Sequence, residues 1–208
     1  MDYNSEILSL NARGLNDSGR RDSIREFVVM LKVNLVCIQE TNLEVVDSFV
    51  ISQCLGPSFD GFAFLPATGT RGGILVAWDT SVIAMSRISL DSFSLNAEVH
   101  TLDRAVWWLT VVYGPQGTED KTKFLQELSE RRLLCHGPWL ILGDFNLILN
   151  AADKSNSNLD RSMMRKFKDF VVRHELKDLY LHGRRFTWSN GRERPTLTRI
   201  DRALVSVD

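Results

Sequence analysis

The sequence predicts an α/β layered sandwich, and three observations predict it. Short apolar runs punctuated by turn residues dominate the chain, several runs are apolar at nearly every position, and helical periodicity lies between some of them. A strand that is apolar on both faces sits between covering layers, because each face needs a partner. About ten candidate strands and about four helices are too strand-rich for a simple doubly wound sheet. A chain of 208 residues, 44% apolar and 25% charged, can bury a substantial core without staples.

The candidate strands are residues 6–11, 34–40, 62–66, 73–78, 82–90, 95–101, 106–113, 139–146, 186–189 and 199–205. They are enriched in Val, Ile, Leu, Phe and Trp, as pleated, packed surfaces are. Helices are expected at 18–32, 120–134 and 163–175. In the first, Ile24, Phe27, Val28 and Leu31 share one stripe, with Asp17 or Ser18 as N-cap. The second aligns Phe124, Leu125, Leu128 and residues 131–133. The third aligns Met163, Phe167, Phe170, Val171 and His174, with Arg165, Lys166 and Lys168 elsewhere. No repeat, low-complexity tract or linker divides the chain, so one domain over 1–208 is expected.

The longest apolar runs, 105–112 (broken only by Thr110) and 139–142, are too short to cross a bilayer, and no secretory signal is visible. A protein neither membrane-bound nor secreted is expected. Cys37, Cys54 and Cys135 are odd in number and lack zinc-like spacing; Cys37, inside an apolar run, reads as a buried thiol in a reducing compartment. The net charge of −1 does not by itself suggest a polyanion partner. Its distribution does more: residues 1–160 carry 13 Lys/Arg against 20 Asp/Glu (−7), and residues 161–208 carry 12 against 6 (+6). Such a split marks a face for a polyanion, or else merely solvates a helix and loops.

Chemistry gathers where strands end. Trp139-Leu140-Ile141-Leu142 leads into Gly143-Asp144-Phe145-Asn146. Asp144 and Asn146, two apart, point to one face in extended chain, and a carboxylate beside an amide suits water activation. Alone, that pattern reads first as an Asx turn closing a strand. The run 34–39 likewise delivers Glu40, a solvated strand end or a ligand for a hard cation. The first strand delivers Asn11 ahead of Arg13, and the seventh delivers Tyr113 ahead of Gly114-Pro115. Thr68-Gly69-Thr70-Arg71-Gly72-Gly73 lacks Gly-Lys-Ser/Thr and precedes a strand, so it reads as a flexible turn rather than a phosphate loop. Of the adjacent Trp107 and Trp108, at least one is expected in the core.

Taken in order, Asn11, Gln39-Glu40-Thr41, Tyr113-Gly114-Pro115, Gly143-Asp144-Phe145-Asn146, Phe186-Thr187-Trp188 and Arg199-Ile200-Asp201-Arg202 resemble the motifs of the endonuclease/exonuclease/phosphatase superfamily. Asn11-Ala12-Arg13-Gly14-Leu15-Asn16 and the pair Thr187-Trp188 resemble the version found in endonucleases of LINE-type (non-LTR) retrotransposons. The resemblance covers about residues 5–206. It implies a DNase I-like fold of two packed mixed β-sheets flanked by helices, acting as a monomer on DNA, in the nucleus or cytoplasm. It implies one Mg²⁺ (or Mn²⁺) held by Glu40 with Asn11, Asp144 positioning or deprotonating water, Asn146 fixing that geometry, and Tyr113 donating to phosphate. Asp201 would orient a histidine, and Thr187, Trp188, Arg13 and Arg199 would face DNA. The implied product is a nick with a free 3′-hydroxyl that primes reverse transcription.

One departure stands out. The superfamily's last motif, Ser-Asp-His after the Ile-Asp segment, is absent; His100, His136, His174 and His182 all precede Asp201. Losing such a donor costs about 10²–10³ in rate. The sequence therefore leads to the expectation of a C-terminally truncated domain lacking its last strand or strands, with any reverse transcriptase encoded downstream. Two other readings stand beside the nuclease: an inactive remnant that binds DNA or nothing, and a phosphatase or phosphodiesterase of the same fold.

Overall fold

The computed structural model describes residues 6–69 and 72–207. Its first sheet contains β1 (Ile7–Asn11), β2 (Leu35–Gln39), β3 (Gly61–Leu65) and β4 (Ile74–Trp78), in the order β1-β2-β4-β3. β1 and β2 are parallel, and β4 is antiparallel to both its neighbours. The second sheet contains β5 (Ile83–Leu90), β6 (Ser94–Thr101), β7 (Val106–Tyr113), β8 (Trp139–Asp144) and β9 (Leu176–Asp178). A short antiparallel pair, β10 (Trp188–Ser189) and β11 (Leu197–Thr198), precedes β12 (Asp201–Ser206), which inserts between β8 and β9. Within this sheet only β7 and β8 pair in parallel.

The two-residue period of a strand explains why β2 is buried at all five positions. Leu35 and Cys37 face the second sheet, in one cluster with Ile74, Val76, Leu95, Leu109 and Val111. Val36 and Ile38 face the other way, under α1 (Ser18–Leu31) and α2 (Ser48–Leu55), beside Ile24, Val28 and Ile51. The second sheet is covered in the same manner. Trp108, Trp139 and Ile141 pack with Phe124 and Leu128 of α3 (Thr118–Arg132) and with Phe167 and Phe170 of α4 (Arg161–Arg173). The result is four layers, helix, sheet, sheet and helix, as the sequence predicts.

Several details differ from the sequence reading. Phe27 and Leu31 are 54% and 41% exposed, so the buried stripe of α1 is only Ile24 and Val28. Asp17 caps that helix by accepting from the Arg20 N–H. Periodicity assigns no element to α2, β9 or β11. The strand expected at 186–189 shortens to two residues. Trp108 is core, whereas Trp107 is only half-buried, and Cys37, Cys54 and Cys135 are all buried free thiols. His174 caps the end of α4, edge-on to Trp139 and hydrogen-bonded to the Ser129 hydroxyl at 3.0 Å. Of the Gly-rich stretch, Thr70 and Arg71 lie outside the described residues; Gly73 (φ +77°) leads into β4, and the Thr41 hydroxyl donates to the Gly72 carbonyl.

Candidate active site

Strand register brings the site together. β1 and β2 run side by side, so Asn11 lies opposite Gln39 and next to Glu40. β7 and β8 also run side by side, which sets Tyr113 opposite Asp144. β12 runs back along β8 and begins where β8 ends, so Asp201 lies opposite Asp144. A bond between the two sheets closes the cluster, the Asn11 Nδ2 donating to Asp144 Oδ2 at 3.0 Å, and Tyr113 feels the Glu40 charge across the same seam. Asn11, Glu40, Tyr113, Asp144, Asn146 and Asp201 therefore share one region.

Asp144 is 3% exposed. The Asn146 N–H donates to its Oδ1 at 2.9 Å, and the Asn146 Nδ2 donates to the Gly114 carbonyl at 2.7 Å. Burial, then the Asp201 carboxylate and more weakly Glu40, push the Asp144 pKa up to about 7 against those donors. Asp201 is raised too, chiefly by burial, while Thr187, Arg184 and Arg13 pull it down. Burial and the Glu40 and Asp144 charges push the Tyr113 hydroxyl up to about 12, so it remains a proton donor throughout the neutral range. The backbone is also unusual here. Arg13, Glu40, Asn42 and Asn146 have φ of 50–55°, a conformation that non-glycine residues adopt at a cost and that clusters at functional sites.

A cleft of about 570 Å³ runs from Asp144 and Asp201 between the sheets, walled by Leu10, Leu142, Tyr180 and Trp188. The four residues expected to face DNA divide into two pairs. Arg13 and Trp188 line this cleft. Thr187 lines it too, but its hydroxyl is committed, accepting the Ile200 and Asp201 N–H groups, both at 3.1 Å, and so setting the start of β12. Arg199 also borders the cleft, but its Nη2 is committed to Asp178 Oδ1 and the Leu179 carbonyl, both at 2.9 Å, with 17% of the side chain exposed. Its neighbour Arg202, fully buried, pairs with Asp153 and Asp178. These ion pairs brace the wall that carries Asp201.

Two residues of the site escape sequence reasoning. Arg184 lines the cleft from the β9–β10 connection, and nothing local separates it from Arg185. Lys121, half-buried on the first turn of α3, feels the Asp160 and Asp144 charges while burial lowers its pKa. Its signal was available: it precedes Phe124 and Leu125 by three and four residues, on the buried stripe.

Comparison with known proteins identifies the family. A model of the Endonuclease/Exonuclease/phosphatase family matches residues 8–208. The chain belongs to that family. Similar solved structures include the AP endonuclease LMAP of Leishmania major (18% identity, TM-score 0.73, covering 97% of this chain and 78% of that one). The 3′ phosphatase NExo from Neisseria, bound to a product DNA hairpin, is 17% identical at TM-score 0.75, covering 97% and 86%. The endonuclease domain of TRAS1, a telomere-specific non-LTR retrotransposon, is 14% identical at TM-score 0.66, covering 97% and 85%. At such identities the likeness is one of fold, and the fold is the DNase I-like sandwich. Comparison with curated protein sequences finds no match.

Proposed function

We propose that this chain hydrolyses phosphodiester bonds in DNA, nicking one strand to leave a 3′-hydroxyl, with Mg²⁺ or Mn²⁺ as cofactor. One observation carries the reading: Asp144, a buried carboxylate raised to about 7, stands where strand ends deliver Asn11, Glu40, Tyr113 and Asn146. A carboxylate with that pKa takes a proton from an attacking water at neutral pH far better than an ordinary one. The Asn11 amide and the Asn146 N–H occupy one lone pair on each Asp144 oxygen, which orients the remaining ones. Tyr113, held protonated, donates to a phosphoryl oxygen as charge builds there. Asp201, fixed by Thr187, keeps a second acid beside Asp144.

The donor set fits a hard cation. Three carboxylates, Glu40, Asp144 and Asp201, lie close enough for Glu40 and Asp201 both to raise Asp144, an excess of negative charge that a cation would relieve. Among the described residues no group of three His, Cys, Asp or Glu side chains is placed to hold a metal ion by itself. Mg²⁺ needs none, since it binds through one or two carboxylates plus water and substrate oxygen. Glu40 with Asn11 would hold it, and bound there it would neutralise charge on the phosphoryl oxygen.

The finer role, a nick that primes reverse transcription, is supported by Asn11–Asn16, by Thr187-Trp188, and by the likeness to the TRAS1 domain. The test is nicking of supercoiled plasmid with Mg²⁺ or with EDTA, beside Glu40→Ala and Asp144→Ala. Metal-dependent nicking that falls at least about 10²-fold in each variant is expected. Folded, monodisperse protein that leaves the plasmid intact with Mg²⁺, and with Mn²⁺ in its place, would sink the nuclease reading.

A further inference from the structure

The arginines around the cleft are unequal. Arg185 donates to the Ala152 carbonyl and lies over the Phe186 ring. Arg199 and Arg202 are tied to Asp178 and Asp153. Arg13 and Arg184 differ from all three: both are exposed, both line the cleft, and neither guanidinium forms an ion pair or hydrogen bond with the described residues. They come from different walls, Arg13 just after β1 of the first sheet and Arg184 from the connection before β10. Both act on the same carboxylate, Asp201, from within its electrostatic reach.

Two forked cations on opposite walls, each without a partner among the described residues, form a receptor for one bidentate anion. Guanidinium matches phosphate oxygens in geometry and in charge. The cleft lining includes Arg13, Arg184 and Asp201 but neither Glu40 nor Tyr113, which serve the scissile phosphate, so an anion held between the two guanidiniums is a neighbour of the one being cleaved. We propose that Arg13 and Arg184 clamp a backbone phosphate flanking the scissile one, which makes the cleft selective for polynucleotide over isolated phosphate esters. The proposal rests on the nuclease reading for its substrate but not for its binding test.

That test has two arms. The first is fluorescence anisotropy of a labelled DNA duplex with the full chain in EDTA, between roughly 50 and 200 mM KCl. Arg13→Ala and Arg184→Ala should each weaken binding about tenfold and reduce the salt slope by about one. The double variant should lose less than the product of the two, because both arms grip one phosphate. Arg165→Ala, exposed on α4, is the control and should change little. The second arm compares cleavage of the duplex with that of bis(p-nitrophenyl) phosphate, a diester with no flanking phosphate. The variants should lose rate on the duplex alone.

If no substrate is cleaved but the anisotropy behaves as described, the clamp stands and the nuclease reading falls. Unchanged slopes, or equal losses on both substrates, would overturn the clamp.

Discussion

Asp144 accepts two hydrogen bonds and is still driven toward its neutral form, because burial and the Asp201 and Glu40 charges outweigh both donors. An unfolded aspartate titrates near 3.9 and this one near 7, a difference equivalent to at most about 4 kcal/mol. The sign follows from that rise. The folded state favours the protonated acid, so the stabilisation is complete below about pH 4 and is lost as pH climbs through about 7. Asp144→Asn, which cannot ionise, should escape that loss. An amide keeps only one of the two acceptor roles, so the net gain above pH 7 is about 1–2 kcal/mol, or roughly 3–6 °C in Tm. Thermal melts of both proteins in EDTA, from pH 4 to 8, check this. The gain should grow with pH while nicking falls at least about 10²-fold. Parallel curves would mean that Asp144 titrates as an ordinary carboxylate.

Among the elements, the joint between β7 and β8 holds Tyr113 against Asp144. There the Gly114 N–H donates to the Asp144 carbonyl at 2.6 Å, and a Cβ on Gly114 would sit 2.1 Å from the Phe145 carbonyl oxygen. The opposing atom is backbone, so no flexible side chain can yield. Gly114→Ala should cost about 3 kcal/mol or more in urea unfolding and should reduce nicking in the protein that remains folded. Gly117→Ala, with nothing within 4 Å of its Cβ, should stay within about 1 kcal/mol. A stable, active Gly114→Ala would show that the strands can separate without harm to the site. The same joint shows why much of the site was legible in the sequence. Asn11, Glu40, Tyr113 and Asp144 each close an apolar run, and parallel pairing turns that one-dimensional position into proximity. Other features had no such local signature. Phe27 has the spacing of the α1 stripe, but spacing does not give the width of the buried face. Thr187 reads as a loop residue, and its role depends on β12 arriving from 13 and 14 residues downstream. Arg184 and Arg185 are adjacent and chemically alike, and only the fold separates the open guanidinium from the bonded one.

Across the whole molecule, each of the three buried layers contains one cysteine. Cys54 lies between the first sheet and its helices, Cys37 between the two sheets, and Cys135 between the second sheet and its helices. Burial raises the pKa of all three thiols, and Cys37 is fully buried. A thiol reagent reaches each only when its layer opens, so labelling rates read out layer stability. Cys37 can be reached only by parting the sheets, which separates Asn11 from Asp144 and exposes Leu35, Val76, Leu109 and Val111 together. Its opening free energy should therefore equal that of global unfolding in urea. Cys135 follows the end of α3, beside the exposed Leu133 and Leu134, where a helix terminus frays at little cost. It should label first, with Cys54 between the two. Mass spectrometry of the native protein pulsed with a thiol reagent at pH 8 resolves the order without substitutions. Cys37 labelling as fast as Cys135 would mean that the sheets part well below the global transition. The site, which draws Asn11 and Glu40 from one sheet and Tyr113, Asp144 and Asp201 from the other, would then be assembled only part of the time.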